Sequence, residues 1–323
     1  MKTSWLSNLS PLIGIAIVLS GCGQNKIEPS ANEVEEEKKT QIVLKVQAHD
    51  YDDTQKTEIS GAYVDKSKMT VPNSLSGQNK WFMFEGPVLE NDKVAYRYYA
   101  DYRHRIDIYG KKVPDLVMDT VSWDYHNIMD WGSDILKVGN SLGMGSPGIF
   151  YQDTIYTLSD WSTKELEIME DGNNKSILRT TFKDLRIEEH SFEVIQDWSI
   201  SAGNFWTEIH VYAKDGSLPE GMEFATGIVK HLPTSVSAQQ GNAFYAYSYG
   251  VQSYHEEELG MAIMASKKYL PAAVENDLSH LVVFGNGGQG VKYRLMAQWK
   301  EGIDGPESEE EFKKKVIQSC ADL

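Results

Sequence analysis

The feature that most constrains this chain is the spacing of its turn signals. From Gln41 to Lys300, short runs rich in Val, Ile, Tyr, Phe, Trp and Thr follow one another. Examples are "QIVLKVQA", "KWFMFEGPVLE", "KVAYRYYADYRHRIDIYG", "GIFYQDTIYTL", "SILRTTFKDLRI", "FATGIVKHL", "LGMAIMAS" and "VKYRLMAQWK". Turn clusters such as "EDGNN", "KDGSLPEG" and "GNGGQG" separate them, which is a strand signature. No helical period is sustained until "GPESEEEFKKKVIQSCADL". There Pro306 stands near a start, acids precede lysines, and Phe312, Val316 and Ile317 share a face. The expectation is an all-β domain, a large antiparallel β-sandwich of two packed sheets, with one C-terminal helix over Glu307–Ser319.

The first residues read differently. Lys2 precedes the apolar run Pro11–Leu19, too short for a transmembrane helix and suited to a secretory signal over residues 1–21. "LSGC", Leu19 to Cys22, resembles a bacterial lipobox, which makes Cys22 the expected lipidated residue. Gly23 and Gln24 follow it, with no Asp to argue for inner-membrane retention. Residues 22–40 are polar and acidic and bury too little apolar surface to fold, so they read as a tether. Residues 41–323 then form a single catalytic domain. The expected location is a membrane-anchored lipoprotein at the outer membrane or cell surface, or on its periplasmic face.

Charge and cysteine content exclude whole classes. Lys and Arg number 31 and Asp and Glu 47, giving a net charge of −16. That disfavours nucleic acid as a partner. An anionic ligand needs a local cluster of Arg and Lys. With Cys22 assigned to lipid, Cys320 has no partner for a disulfide or a thiolate metal site.

Two places concentrate polar groups. Taken as one strand of period two, Val94–Ile108 has an apolar face and a second face carrying Arg97, Tyr99, Asp101, Arg103, Arg105 and Asp107. That second face is either a solvated ladder of ion pairs or a concave binding surface with rings for sugars and guanidinium forks for carboxylate or sulfate. The other place is "DYHNIMDWGSDILKVGNSLGMG", Asp124 to Gly145. Its glycines suggest a phosphate loop, yet it lacks the Gly-Lys-Ser/Thr ending and a surrounding βαβ unit. His126 with Asp124, Asp130 or Asp134 offers a weak metal set, and no second His stands at ligand spacing, so no metal is expected. No cofactor is required by the sequence. A catalytic loop fits better: His126 as titratable group, Lys137 as cation, and Gly139 to Gly145 as backbone that a ligand can approach. Lys230 and His231 end another strand and point to opposite faces if it is regular. In "VKYRLMAQW", Arg294 and Gln298 line a cleft while Tyr293 and Trp299 fill the core, or the reverse.

The segments "DWGSDILKVGNSLGMGSPGIF", "WFMFEGPVLENDKVAYRYYADYRHRIDIYGKK", "YSYGVQS" and "YRLMAQW" together resemble a family of Bacteroidetes proteins of long-unassigned function, encoded among polysaccharide-utilisation genes. The resemblance covers Gln41 to Trp299. It implies a galactose-mutarotase-like β-supersandwich. One branch is similar to an oligosaccharide dehydratase acting on ulvan, a sulfated algal polysaccharide of rhamnose 3-sulfate and uronic acids. The implied reaction removes water from a non-reducing-end uronic acid and leaves a 4,5-unsaturated sugar.

That chemistry sets requirements. Loss of the C5 proton builds charge on the carboxylate, which cations must neutralise, while an acid protonates the departing 4-hydroxyl. His126 is the first candidate for base or acid, with Tyr98, Tyr102 or His231 as its counterpart. Lys137, Arg97, Arg103 and Arg294 are candidates for carboxylate and sulfate contacts, joined by Asn140 and Lys230. Trp131 offers a stacking surface. The competing classes are a non-catalytic glycan-binding lipoprotein and a polysaccharide lyase, which expels a sugar instead of water.

Overall fold

The computed structural model describes residues 37–323. The signal segment, Cys22 and most of the acidic stretch lie outside the described residues.

Strands account for nearly all regular structure, and they lie in three main antiparallel sheets. One five-stranded sheet runs in the order Thr40–Val43, Val88–Asn91, Val94–Tyr98, Ile106–Lys111, Gly132–Asp134. A second runs Thr154–Thr157, Gly148–Tyr151, Glu223–Val229, Ser279–Phe284, Pro271–Val274. The third has nine strands: Val236–Gln240, Ala243–Val251, Glu258–Ser266, Gly290–Trp299, Trp206–Ala213, His190–Ser201, Lys175–Ile187, Thr163–Asp171, Lys68–Val71. The expected architecture of large antiparallel sheets is thus present.

Alternation decides which side of each strand is buried. In Lys175–Ile187 the residues Leu178, Thr180 and Phe182 are buried, with half-buried neighbours between them. A bulge after Phe182, where Asp184 takes φ 49°, resets the register so that Leu185 and Ile187 stay inside. One core joins all three sheets: Tyr96, Ile106 and Ile108 from the first, Phe224 and Ile228 from the second, Trp198, Ile209 and Leu295 from the nine-stranded one. The two five-stranded sheets are stitched together by a strap, Gly143–Gly145. Gly143 bridges Ile106 in parallel and Met144 bridges Ile228 antiparallel. Met144 N–H donates to Ile106 O, and Gly145 N–H to Gly227 O.

The terminal helix spans Glu309–Gln318. Ser308 caps it by accepting from Glu311 N–H, and the acids of the first turn oppose the helix dipole. Phe312 and Val316 are fully buried against Tyr245, Tyr247, Met264 and Met296. This matches the expected face.

Three sequence runs depart from expectation. "KWFMFEGPVLE" is a 3₁₀ turn, Met83–Glu85, followed by the strand Val88–Asn91. "GIFYQDTIYTL" is a hairpin whose tip, Gln152 and Asp153, takes φ 49° and 56°, the left-handed pair of a tight two-residue turn. The run from Val94 to Ile108 is also a hairpin. Residues 99–105 form its turn, organised by Asp101, whose carboxylate accepts from Arg103 N–H, and by His104 at φ 41°. The single-strand, period-two assignment therefore fails beyond Tyr98.

Candidate active site

The hairpin fold of this run changes the meaning of its charges. Arg97 and Asp107 come face to face across the two strands. Arg97 is 1% exposed and its Nη2 donates to Asp107 Oδ2 at 2.5 Å and to Asp134 Oδ2 at 2.8 Å. Nη1 donates to Tyr125 OH at 3.1 Å, and Tyr99 OH donates to Asp107 Oδ2 at 2.9 Å. Three rings, Tyr99, Tyr109 and Tyr125, pack on the guanidinium. One cation thus serves two buried carboxylates. Burial, then the charge of Asp107, pushes Asp134 well above the usual carboxylate range.

Asp134 belongs to the short strand Gly132–Asp134, in the stretch that also holds His126. His126 lies on the exposed rim of the cluster with Nδ1 3.4 Å from Asp134 Oδ2, and its side chain is 54% exposed. Partial burial, then the nearby Arg97, lowers its pKa, so the imidazole is neutral at neutral pH. With Asp134 protonated, Nδ1 faces a donor and the imidazole proton resides on Nε2. With Asp134 ionised, the tautomer reverses and Nε2 becomes an acceptor. A carboxylate behind Nδ1 is the arrangement that orients a general acid or base.

A second Tyr-His pair reaches the same place. Tyr125-His126 and Tyr254-His255 are the two Tyr-His dipeptides of the chain. The rings of His126 and Tyr254 lie 5.9 Å apart, and Lys137 Nζ sits 4.9 Å over the Tyr254 ring. His255 Nε2 is 2.8 Å from Ser133 Oγ, beside Asp134 in sequence. Lys137 is exposed and makes no ion pair among the described residues. Tyr254 and His255 escaped the sequence reading. The repeated dipeptide was the signal for them, but only the fold brings its copies together.

Lys137 continues into a groove of about 250 Å³ that it shares with Asn140, Lys230, His231, Asp277 and Leu278. His231 Nε2 is 2.8 Å from Lys137 O. Lys230 Nζ meets Glu275 at 3.4 Å and donates to Asn276 O. Lys230 and His231 do not divide between two faces, because the strand ends at Val229 and both line this groove.

Other sequence candidates sit elsewhere. Tyr98 is fully buried, bonded to Thr180 and packed on Trp198 and His104, so no substrate reaches it. Tyr102 is exposed on the turn and has no ring contact or hydrogen bond with His126. Arg97 is consumed by its two carboxylates and has no surface to offer a ligand. Arg103 is held by Asp101 and Glu85 and stacked 3.8 Å over Tyr99. Arg294 lies over Trp206 and donates to Ser319 O, so it secures the helix and lines no cleft. Tyr293 and Trp299 do fill the core. Trp131 is half-buried against Tyr109, under the loop.

The glycines of the stretch are also reassigned. A Cβ on Gly143 would lie 2.2 Å from Ile106 O, and one on Gly145, at φ +85°, 2.1 Å from Leu295. These two serve the strap between sheets, not the approach of a ligand. The stretch is irregular as expected, but residues 132–136 and 141–145 are buried. Its exposed residues are Asp124, residues 126–130, Lys137, Gly139 and Asn140. Among the described residues no group of three His, Cys, Asp or Glu is placed to hold a metal.

A family model described as a domain of unknown function, DUF4861, matches residues 23–322. The chain belongs to the DUF4861 family. No curated protein matches it in sequence. Solved structures similar to this DUF4861 chain are carbohydrate-processing enzymes by description. A protein described as a kojibiose phosphorylase from the human microbiome is 10% identical with a TM-score of 0.40, over 73% of this chain and 33% of that one. A protein described as an aldose 1-epimerase from Klebsiella pneumoniae is 8% identical with a TM-score of 0.36, over 87% of this chain and 96% of that one. A 4-alpha-glucanotransferase from Thermococcus litoralis is 9% identical with a TM-score of 0.32, over 72% and 39%. The DUF4861 chain spans only about a third of the phosphorylase.

Proposed function

We propose that this protein is a carbohydrate-active dehydratase that removes water from a uronic acid at the non-reducing end of an oligosaccharide. The observation that carries the reading is the His126–Asp134 pair beside Lys137, an exposed cation with no carboxylate partner among the described residues. Elimination next to a carboxylate needs these parts: a proton donor for the leaving hydroxyl, a base for C5, and a cation where charge develops. His126 Nε2 gives the proton to the departing 4-hydroxyl, with Asp134 restoring it through Nδ1. Lys137 holds the uronate carboxylate against the Tyr254 ring. His231 and Tyr254 are the groups around Lys137 able to take the C5 proton, and separate variants tell them apart.

The resemblance to ulvan dehydratases directs the choice of substrate: sulfated rhamnose-uronate fragments. Lys230 and Asn140 stand in the adjoining groove for the sulfate and hydroxyls. The same resemblance and the "LSGC" motif support secretion and lipid anchoring at Cys22, after an endo-acting enzyme has cut the polymer.

The test is product chemistry. Ulvan oligosaccharides incubated with the full chain should gain the absorbance of an unsaturated uronate and lose one water in mass at unchanged chain length. Shortening of the chain would identify a polysaccharide lyase instead, and binding with no product a glycan-binding lipoprotein. His126→Ala should fold normally and lose roughly 10²–10⁴-fold in turnover. Wild-type turnover in that variant sinks the assignment of His126.

A further inference from the structure

A cavity of about 600 Å³ lies apart from the site above. It is lined by Ser217, Met222, Glu223, Lys268, Tyr269, Asn286, Gly288 and Gln289, at one end of the second five-stranded sheet. Its polar groups differ from those on the open face of the nine-stranded sheet. There the charges are paired: Arg179 with Asp197, Lys183 with Glu165, Lys214 with Glu193. Around the cavity, the Glu223 carboxylate, the Gln289 amide and the Ser217 hydroxyl have no hydrogen bond or ion pair among the described residues. Lys268 Nζ meets only the face of Tyr269, at 4.8 Å. Asn286 donates its amide N–H to Lys268 O, which fixes its orientation.

The backbone beside these groups is bare. Gly288 needs no left-handed φ, and a Cβ added to it meets nothing within 4 Å. Neither conformation nor packing requires glycine there. A missing side chain at the wall of a cavity leaves room for a ligand to approach the main chain. Gly288 O is itself anchored, since Leu218 N–H donates to it. The wall is therefore bare and held in place.

We infer that this cavity is a second ligand site, built for a neutral, hydroxyl-rich ring such as a hexose of a saccharide chain. One carboxylate and one ammonium offset each other, which disfavours a strongly charged guest. A carboxylate accepting from neighbouring hydroxyls, amides that donate and accept, and a half-buried Tyr ring are the groups that recognise a polyol ring. The volume lies in the range of small-molecule sites, about 300–1,000 Å³. The assignment concerns a separate place on the surface and stands or falls apart from the dehydratase reading.

The experiment is titration of the full chain with maltose, cellobiose, glucuronate and glucosamine, followed by protein-observed NMR. The two neutral disaccharides should bind with Kd of roughly 1–10 mM, as befits a few exposed contacts. Gly288→Phe adds bulk at the cavity wall, where a Cβ meets nothing within 4 Å, and should abolish binding. Glu223→Gln should weaken it about tenfold, the loss of one charge-assisted hydrogen bond. His126→Ala should leave it unchanged. The inference is overturned by any of these: no neutral sugar binding in the wild type, binding that survives Gly288→Phe, binding lost in His126→Ala, or preference for glucuronate or glucosamine over both disaccharides.

Discussion

Two sets of charges cross strands in this protein, and they behave as opposites. The open face of the nine-stranded sheet carries a transverse row in register: Lys68, Glu167, Arg179, Asp197, His210 and Lys292, one from each neighbouring strand. Signs alternate from Lys68 to Asp197, and side chains stay partly in water; Arg179 is 33% exposed and Asp197 22%. The inner set, Arg97 with Asp107 and Asp134, is 1–2% exposed and holds two acids to one base. The same residue types make a ladder in one place and a buried store of charge in the other. Water content, not residue type, makes the difference: an exposed pair gains and costs little, while a buried one is stable only if every member has its partner. The inner set also ends in a half-exposed His, which gives its excess proton a route to the surface.

The sharpest way to break this contrast is Arg97→Ala. It strands two buried carboxylates and should cost about 3–5 kcal/mol, read as a large fall in the urea midpoint. A midpoint close to that of the wild type would show that the cluster is hydrated.

Asp134→Asn probes the excess proton. The folded-state pKa of Asp134 is raised above its unfolded value, so its contribution to stability is complete when it is protonated and is lost as pH rises through the folded pKa. The wild type should therefore lose more stability than the Asn variant as pH rises above the ordinary carboxylate range, and the two should converge at the acid end. Parallel pH profiles would mean that Asp134 is ionised throughout. Activity should fall as well, with a changed pH profile, because His126 loses its proton partner.

The smallest effect belongs to the outer row. Arg179→Gln removes a bidentate contact with Asp197, and water replaces it, so the change should stay within about 1 kcal/mol. A loss as large as that of Arg97→Ala would erase the distinction between the two faces.

Much of the fold was legible because alternation and turn residues carry it. The strand Gly290–Trp299 shows this: Tyr293, Leu295, Ala297 and Trp299 enter the main core, and Met296 meets the helix. The helix itself was legible from its charge order and from Phe312 and Val316. The break at residues 99–105 was not, because "YADYRHR" contains no Gly, Pro or Asn, and only Asp101 marks the turn. The strand reading left Arg97 on an open polar face, and Tyr98 was chosen for its chemistry although alternation puts it on the apolar one. Both are buried, Arg97 under Tyr99, Tyr109 and Tyr125 and Tyr98 against Trp198 and His104. His126 and Lys137 were found through local density, and the structure does bring both to Tyr254. Asp134 was weighed only as a metal ligand; its role depends on Arg97, 37 residues away. Such a partnership has no local trace in a single sequence.

The strap Gly143–Gly145 also settles how the protein presents itself to other chains. Ile106 and Ile228 each pair with it where their own sheets supply no neighbour. Without the strap, two unpaired strand borders would face each other with open N–H and C=O groups, a template for any extended peptide that reached them. Three residues without room for side chains at their ends close both borders at once, and so remove two aggregation-prone seams from the middle of the molecule.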